Sequence, residues 1–397
     1  MISFRYAKNL YGAQMMNNNE NINTTEEVKE VNEGKRAREW HGIPIFSWVL
    51  FAIAAVSLLV MLAYIFFEDF ANFYNRYPAA FLRGAFAFVT MIQPCSLGEA
   101  LIIFAPIIFI FIVIYADKYY TKNWLDVGRF LVIILSVASL FFTTFALNFG
   151  AGYHTSSVDK LLELDRREVS AEELRETADY LVDEINKYAH SLGVRKDGST
   201  VMPYGYDTLS LELLRAYDKV SDEYGFISRF PSRIKPVMLS EPWTYTHISG
   251  VYTYFTGEAN INTNFPDYTL PYTAAHEMAH QRGIAREDEA NFVAFLVCTA
   301  SDDEYIRYSG YLNLYEYVSN ALYSADREAY TKVRSRLSPV ARKEMTAYST
   351  FFAKYRENVA ANVTGAVNNA YLTIQGTPGT KSYGMVVDLA VAYIIGK

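Results

Sequence analysis

The chain of 397 residues is 51% hydrophobic yet 20% charged, a mixture that points to apolar segments joined to an ordinary polar domain. Its net charge of −7 argues against the basic stripe that a nucleic-acid binder needs, so no nucleic-acid partner is expected. Two cysteines, Cys95 and Cys298, rule out a disulfide framework or a cysteine-rich zinc site.

Residues 1–40 contain NNNENINTTEEVKEVNEGKRAREW, polar and without apolar periodicity, which predicts a disordered tail. Three apolar runs follow, at roughly 44–67, 100–116 and 130–149. Each approaches or exceeds the ~17 residues that cross about 30 Å of hydrocarbon as a helix. Lysine and arginine placement sets the orientation. Lys35, Arg36 and Arg38 precede the first run, and Lys118, Lys122 and Arg129 surround the second loop, whereas the first loop holds only Arg76 and Arg83. The tail and second loop are therefore expected in the cytoplasm. Everything after residue 150 is expected outside, in a multi-pass protein of the cell membrane whose first partner is the lipid bilayer. The first loop, FEDFANFYNRYPAAFLRGAFAFV, is aromatic and amphipathic and suits the membrane interface. Ser96 and Glu99 read as a capping box that opens the second span.

Beyond residue 150 the hydropathy falls. Residues 170–190 form an amphipathic helix with a capping box of Ser170 and Glu173, and a second helix is expected at 208–224. Residues 234–263 are rich in Tyr, Thr, Val and Ile between turn residues and predict two or three short strands. Helical patterns dominate from 273 to the end.

The stretch TAAHEMAHQRGIAREDEANFVAF, residues 273–295, carries the chemistry. His276 and His280 stand four apart, so a helix presents both to one ion, and a chain with only six histidines gives that spacing weight. Glu277 lies about a quarter-turn away, placed to act as general base on a water held by the metal. Gly283 is a natural helix stop, and a second helix then starts near Arg286. A catalytic zinc with two His, one Glu and an open position is what this pattern predicts, so Zn2+ is the expected cofactor. The third ligand is Glu287 or, as the alternative, Glu289; the two face different sides of the second helix. Glu287 opens E-x-x-A-N, which resembles the E-x-x-A-D element of several HExxH peptidase families, with Asn291 supporting a ligand histidine in place of an Asp. An acidic helix N-terminus alone would account for at least one of Glu287, Asp288 and Glu289 without a metal.

Upstream, EANIN (258–262) is a candidate edge strand on which an extended substrate backbone could pair, making Glu258, Ala259 and Asn260 candidate substrate-binding residues. The developing oxyanion needs a donor; His247, Tyr308, Tyr311 and Tyr383 are candidates, with Tyr383 preferred.

The segments YTYFTGEANIN, LPYTAAHEMAHQRGIAREDEANF and GTKSYGMVVDLAVAY resemble the bacterial membrane-protein family catalogued as domain of unknown function 3810. So do the three spans and the CSLGEAL that opens the second. The resemblance implies a membrane-anchored zinc peptidase. The expected fold class is a mainly α membrane protein. A three-helix transmembrane region (41–150) leads into a mostly helical, zincin-like α+β domain with a small sheet (151–397). The expected function is hydrolysis of an extracytoplasmic peptide or protein substrate. The alternative is a catalytically inactive membrane sensor whose zincin-like domain binds a peptide or cell-wall ligand. Proteolysis inside the membrane is disfavoured, because NFPDYTL and QRGIARED flank the motif rather than apolar spans.

Overall fold

The computed structural model describes residues 39–40, 42–120, 123–356 and 358–396. The expected disordered tail lies outside the described residues as far as 38; Glu39–Trp40 (β1) instead pair antiparallel with Ile43–Pro44 (β2). Three long helices follow the apolar runs: α1 (Ile45–Phe66), α4 (Leu97–Tyr120) and α5 (Trp124–Asn148). Each is long and apolar enough to cross a membrane. Large apolar side chains stay exposed along them, Leu59, Ile102, Phe111 and Leu135 among them, which suits helices whose solvent is lipid.

Between α1 and α4 the chain forms two further helices, α2 (Glu68–Arg76) and α3 (Pro78–Met91), with Pro78 at the first helical position, where its missing N–H costs nothing. Phe73, Tyr77, Phe81 and Phe88 are exposed on this pair, in keeping with the amphipathic reading. The capping box expected before α4 is half-formed. The Glu99 N–H donates to Ser96 Oγ at 3.0 Å, but the Glu99 carboxylate accepts from the Met238 and Leu239 amides instead of closing the box.

The chain separates into two compact units. One holds the described residues up to Val56 and Ile107–Thr143; the other holds Ser57–Pro106 and Thr144–Lys397. The second unit continues with a 3-10 turn (Gly150–Tyr153) and α6 (Val158–Leu161). Next comes α7 (Ala171–Ala189), whose Ser170–Glu173 capping box forms in full, and then α8 (Tyr206–Tyr224). The three strands are β3 (Lys235–Pro236), β4 (Gly250–Thr253) and β5 (Glu258–Ile261), with the short helix α9 (Ser240–Thr244) between the first two. Their order is β3-β5-β4, parallel for the first pair and antiparallel for the second. Seven further helices complete the unit: α10 (Thr269–Gln281), α11 (Glu287–Ala300), α12 (Glu304–Ala325), α13 (Arg327–Arg336), α14 (Pro339–Ala353), α15 (Val359–Ile374) and α16 (Val386–Ile395). The hydrophobic core of the unit lies where α7, α8, α10, α11 and α12 meet, around Leu181, Leu213, Met278, Phe292 and Leu312.

One buried cation ties the α2–α3 pair to this core. Arg83 is fully buried. Its guanidinium donates to the carbonyls of Asn148 (2.7 Å), Asn75 (2.8 Å) and Arg282 (3.3 Å), and to Asn75 Oδ1 (2.9 Å). Asn75 in turn donates to the Gly283 carbonyl at 3.1 Å. Burial drags the guanidinium down to about 10, against Tyr252 and Tyr74, which favour its charge. Replacing Arg83 with Met strands these carbonyls without donors, so we expect a loss of about 3 kcal/mol and a Tm lower by roughly 6–12 °C. Thermal unfolding of the detergent-solubilised protein measures this, with exposed Arg76→Met expected within about 1 °C of the parent.

Candidate metal centre

The motif lies on α10, every residue of which is buried. Ala274, Ala275 and Ala279 let neighbouring elements approach closely; Tyr217, for instance, donates its hydroxyl to the Ala275 carbonyl at 2.6 Å. The four-residue spacing brings the His276 and His280 rings to 4.6 Å at 89°. Gly283 ends the helix with φ +93°, a conformation that a side chain would strain. The Ile284 N–H then returns to the Ala279 carbonyl at 3.1 Å. This reversal also orients a ligand: His280 Nδ1–H donates to the Ile284 carbonyl at 2.7 Å, which leaves Nε2 with its lone pair facing inward.

Glu287 is the first residue of α11, and its Oε2 lies 3.2 Å from His276 Nε2 and 3.4 Å from His280 Nε2. The three ligand atoms lie within 4.8 Å of one another. A tetrahedral site with bonds of ~2.0–2.1 Å has ligand-to-ligand edges of about 3.3 Å, which matches both carboxylate–imidazole separations. Glu287 Oε2 is buried without an aligned hydrogen bond, and so is His276 Nδ1. Two imidazole nitrogens and a carboxylate oxygen gathered this closely, without an aligned hydrogen bond at Glu287 Oε2, are a donor set that suits a zinc-type ion.

The alternative ligand is overturned. The Glu289 carboxylate is taken by Arg286 Nη1 at 2.8 Å and by the Val158 N–H at 3.1 Å, away from both imidazoles. Asp288 pairs with Arg166 at 2.7 Å. The three acidic residues thus have three separate partners, and one of those partners is the histidine pair.

The electrostatics follow from burial and these contacts. Burial opposes a charge on His280, but the Glu287 carboxylate beside it outweighs that and raises its pKa. Burial alone would raise Glu287, yet both imidazoles hold it well below the usual carboxylate range. Glu277, buried and not part of the cluster, is pushed up to about 7 by desolvation, with His276 and His280 pulling the other way. The Tyr252 amide of β4 hydrogen-bonds to it. A Cβ at Gly250 would sit 2.6 Å from Glu277 Oε1, so the first residue of β4 must be glycine for the carboxylate to fit.

Tyr383 comes to the centre. It lies on the 3-10 segment Gly379–Met385, its hydroxyl accepts from Asn368 Nδ2 at 3.4 Å, and it is within hydrogen-bonding reach of Glu287. Burial, with the Glu287 charge next, holds its hydroxyl well above its ordinary pKa, so it stays a proton donor. His247 lines the same cleft, where its Nε2 is 2.6 Å from the Tyr355 carbonyl. Tyr308 and Tyr311 do not reach it; Tyr308 is fully buried, and Tyr311 stacks on Tyr188.

Two further expectations need correction. Asn291 supports neither histidine. Its amide donates to the Tyr383 carbonyl at 3.4 Å and lies near Tyr317, while the histidine Nδ1 atoms are held by Ile284 or by nothing. Glu258, Ala259 and Asn260 belong to β5, which is the central strand with partners on both sides and offers no free edge. Glu258 instead accepts the Leu97 and Gly98 amides at 3.0 Å each. The strand beside the cluster is β4, whose Gly250, with the preceding Ser249, lines a cleft of about 530 Å³ together with His276 and Glu277. Tyr153 and Tyr371, hydrogen-bonded to each other at 3.1 Å, also lie within range of the Glu287 charge, and Phe149 packs edge-on against His280 at 5.8 Å. No local pattern in the sequence marks these three, because they reach the centre from segments far from the motif.

Residues 74–391 match the family described as a protein of unknown function (DUF3810). The chain belongs to that family. The family match takes in Asn75, Arg83 and the His276–His280–Glu287 cluster, and it ends within α16. No curated protein and no solved structure matches the chain.

Glu287→Ala is expected to weaken zinc binding by at least about 100-fold, whereas Glu289→Gln, outside the cluster, is expected to leave affinity within about threefold of the parent. Zinc competition titration against a chromogenic chelator gives both numbers, and equal losses would remove Glu287 from the ligand set.

Proposed function

We propose that this protein is a membrane-anchored zinc metallopeptidase that hydrolyses peptide bonds of extracytoplasmic peptides or proteins. The observation that carries the reading is the convergence of His276, His280 and Glu287 on one point, with Glu277 beside them against strand β4. His276, His280 and Glu287 would hold the ion. A zinc ion bound there would supply Lewis-acid polarisation of the scissile carbonyl and lower the pKa of water towards about 7.

The remaining roles fall to the chain itself. Glu277, poised near neutrality, takes a proton from the attacking water and delivers it to the departing amine. Hydroxyl adds to the carbonyl carbon, and the C–N bond then breaks as the proton held by Glu277 reaches nitrogen. Among the described residues β4 pairs only with β5, so its other edge can take an extended substrate backbone by main-chain hydrogen bonds. Tyr383, kept protonated, donates to the developing oxyanion. A helix with two histidines, a turn, a second helix with the third ligand and a neighbouring edge strand together support a zincin-like assignment for this unit. The lysine and arginine bias around the spans supports an orientation with the N-terminus in the cytoplasm and the metal-ligand cluster outside.

Glu277→Gln is expected to keep its zinc and lose roughly 10²–10⁴-fold in cleavage rate, read with a quenched fluorescent peptide library and metal analysis of the same sample. Cleavage retained in that variant would remove the peptidase reading in favour of a binding role. For the orientation, a cysteine at exposed Lys381 should react with a membrane-impermeant maleimide in intact cells whose outer permeability barrier has been opened. Labelling that requires inner-membrane rupture would reverse the topology.

A further inference from the structure

Along α12, Asn313, Glu316, Tyr317 and Asn320 recur at helical spacing and line the cleft that holds His276 and Glu277. Glu316 is the only charged residue that α12 contributes to that wall. Its Oε1 accepts the Tyr268 hydroxyl at 2.8 Å, and it makes no ion pair among the described residues. The described lining of the cleft contains no lysine or arginine. Asn313 commits its amide hydrogens to the carbonyls of Ser309 (2.8 Å) and Tyr268 (3.4 Å), which leaves its Oδ1 as an acceptor. The wall thus offers a carboxylate and an amide oxygen to whatever enters.

The groove between α3 and the segment 225–231 contains Arg76 and Arg229, but Arg229 already pairs with Asp222. The exposed Val359, Val363 and Val367 stripe of α15 has nothing to define what covers it.

We infer that the cleft carries a subsite for a cationic side chain of the peptide substrate, with Glu316 as its specificity-determining residue; this rests on the peptidase reading above. An unpaired carboxylate in a cleft has two ways to relieve its desolvation, a proton or a cation. The first is favoured by burial, which pushes the Glu316 carboxyl up to about 7 against the Tyr268 hydrogen bond. The second supplies what the walls lack. An ammonium or guanidinium brings three to five N–H donors and no acceptor, the complement of Glu316 and Asn313. An acidic side chain would meet Glu316 and Glu277 together and be repelled. The cleft volume accommodates a long basic side chain beside the scissile bond.

The test uses the full-length zinc-loaded protein in detergent with an equimolar peptide library, cleavage sites being read by mass spectrometry. Lysine or arginine should be enriched at one fixed position relative to the cleaved bond, and which of the two dominates tells ammonium from guanidinium. In Glu316→Gln, kcat/KM for cationic peptides should fall about 10–100-fold further than for matched glutamine peptides. Glu316→Lys should shift the preference towards acidic residues, and Glu316→Asp should retain the cationic one. Cleavage without cationic preference, or an equal loss on all peptides, overturns the subsite. If no peptide is cleaved, the peptidase reading fails, and the subsite is then decided by binding alone. Fluorescent lysine, arginine, glutamine and glutamate peptides are titrated into Glu277→Gln and into Glu277→Gln/Glu316→Gln. Cationic peptides should bind at least tenfold tighter than acidic ones only in the first; equal binding in both overturns the proposal.

Discussion

A guanidinium removed from water costs several kcal/mol unless its donors find acceptors, and both terminal nitrogens of Arg83 find them, on three separate stretches of chain. The carbonyl of Asn148 closes the third membrane-length helix, Asn75 belongs to the last turn of α2, and Arg282 lies in the turn that ends the HExxH helix. None of these groups can drift without stranding a buried charge. The position of the turn after the histidine pair is therefore fixed from outside the motif, by a residue nearly two hundred positions earlier in sequence.

Within that frame the centre orients itself by short-range means. The turn that Gly283 allows supplies the Ile284 carbonyl that aims His280, and the same turn delivers Glu287 to the start of the next helix. Glu277 is kept out of the cluster by its place on α10 and is pressed against the glycine of β4, which explains how one carboxylate is held ionised by two imidazoles while its neighbour stays near neutrality. Two glutamates ten residues apart are driven in opposite directions by environment alone, the separation of roles that acid–base chemistry at a metal needs.

What was legible in the sequence is what depends on local spacing. The histidine pair, the glycine stop, the Ser170 cap and the apolar runs are all written within a few residues of where they act. The choice between Glu287 and Glu289 was not, because Arg286 and the distant Val158 amide together claim Glu289, and only one of these is nearby in sequence. EANIN reads as an edge strand because its second partner, Lys235–Pro236, is two residues long and contains a proline, too short to announce itself. Arg83 reads as a loop charge, since the amphipathic pattern around it does not reveal that it becomes fully buried. Glu99 likewise looks like half of a cap and serves instead to hold the chain after β3.

Glu258 shows what this interdependence means for the molecule's life in a cell. Fully buried in the central strand, it is satisfied by the first amides of the second membrane-length helix. Residues 57–106 and 144–397 accordingly form one compact unit whose parts are translated at different times. The early segment must wait for its partners, and the later one closes on a surface already present. A cut just beyond the third long helix would strip away Arg83, Asn75 and the Leu97–Gly98 amides at once, leaving Glu258 and the turn carbonyls unpaired. Severing the chain at that point would therefore destroy what it released.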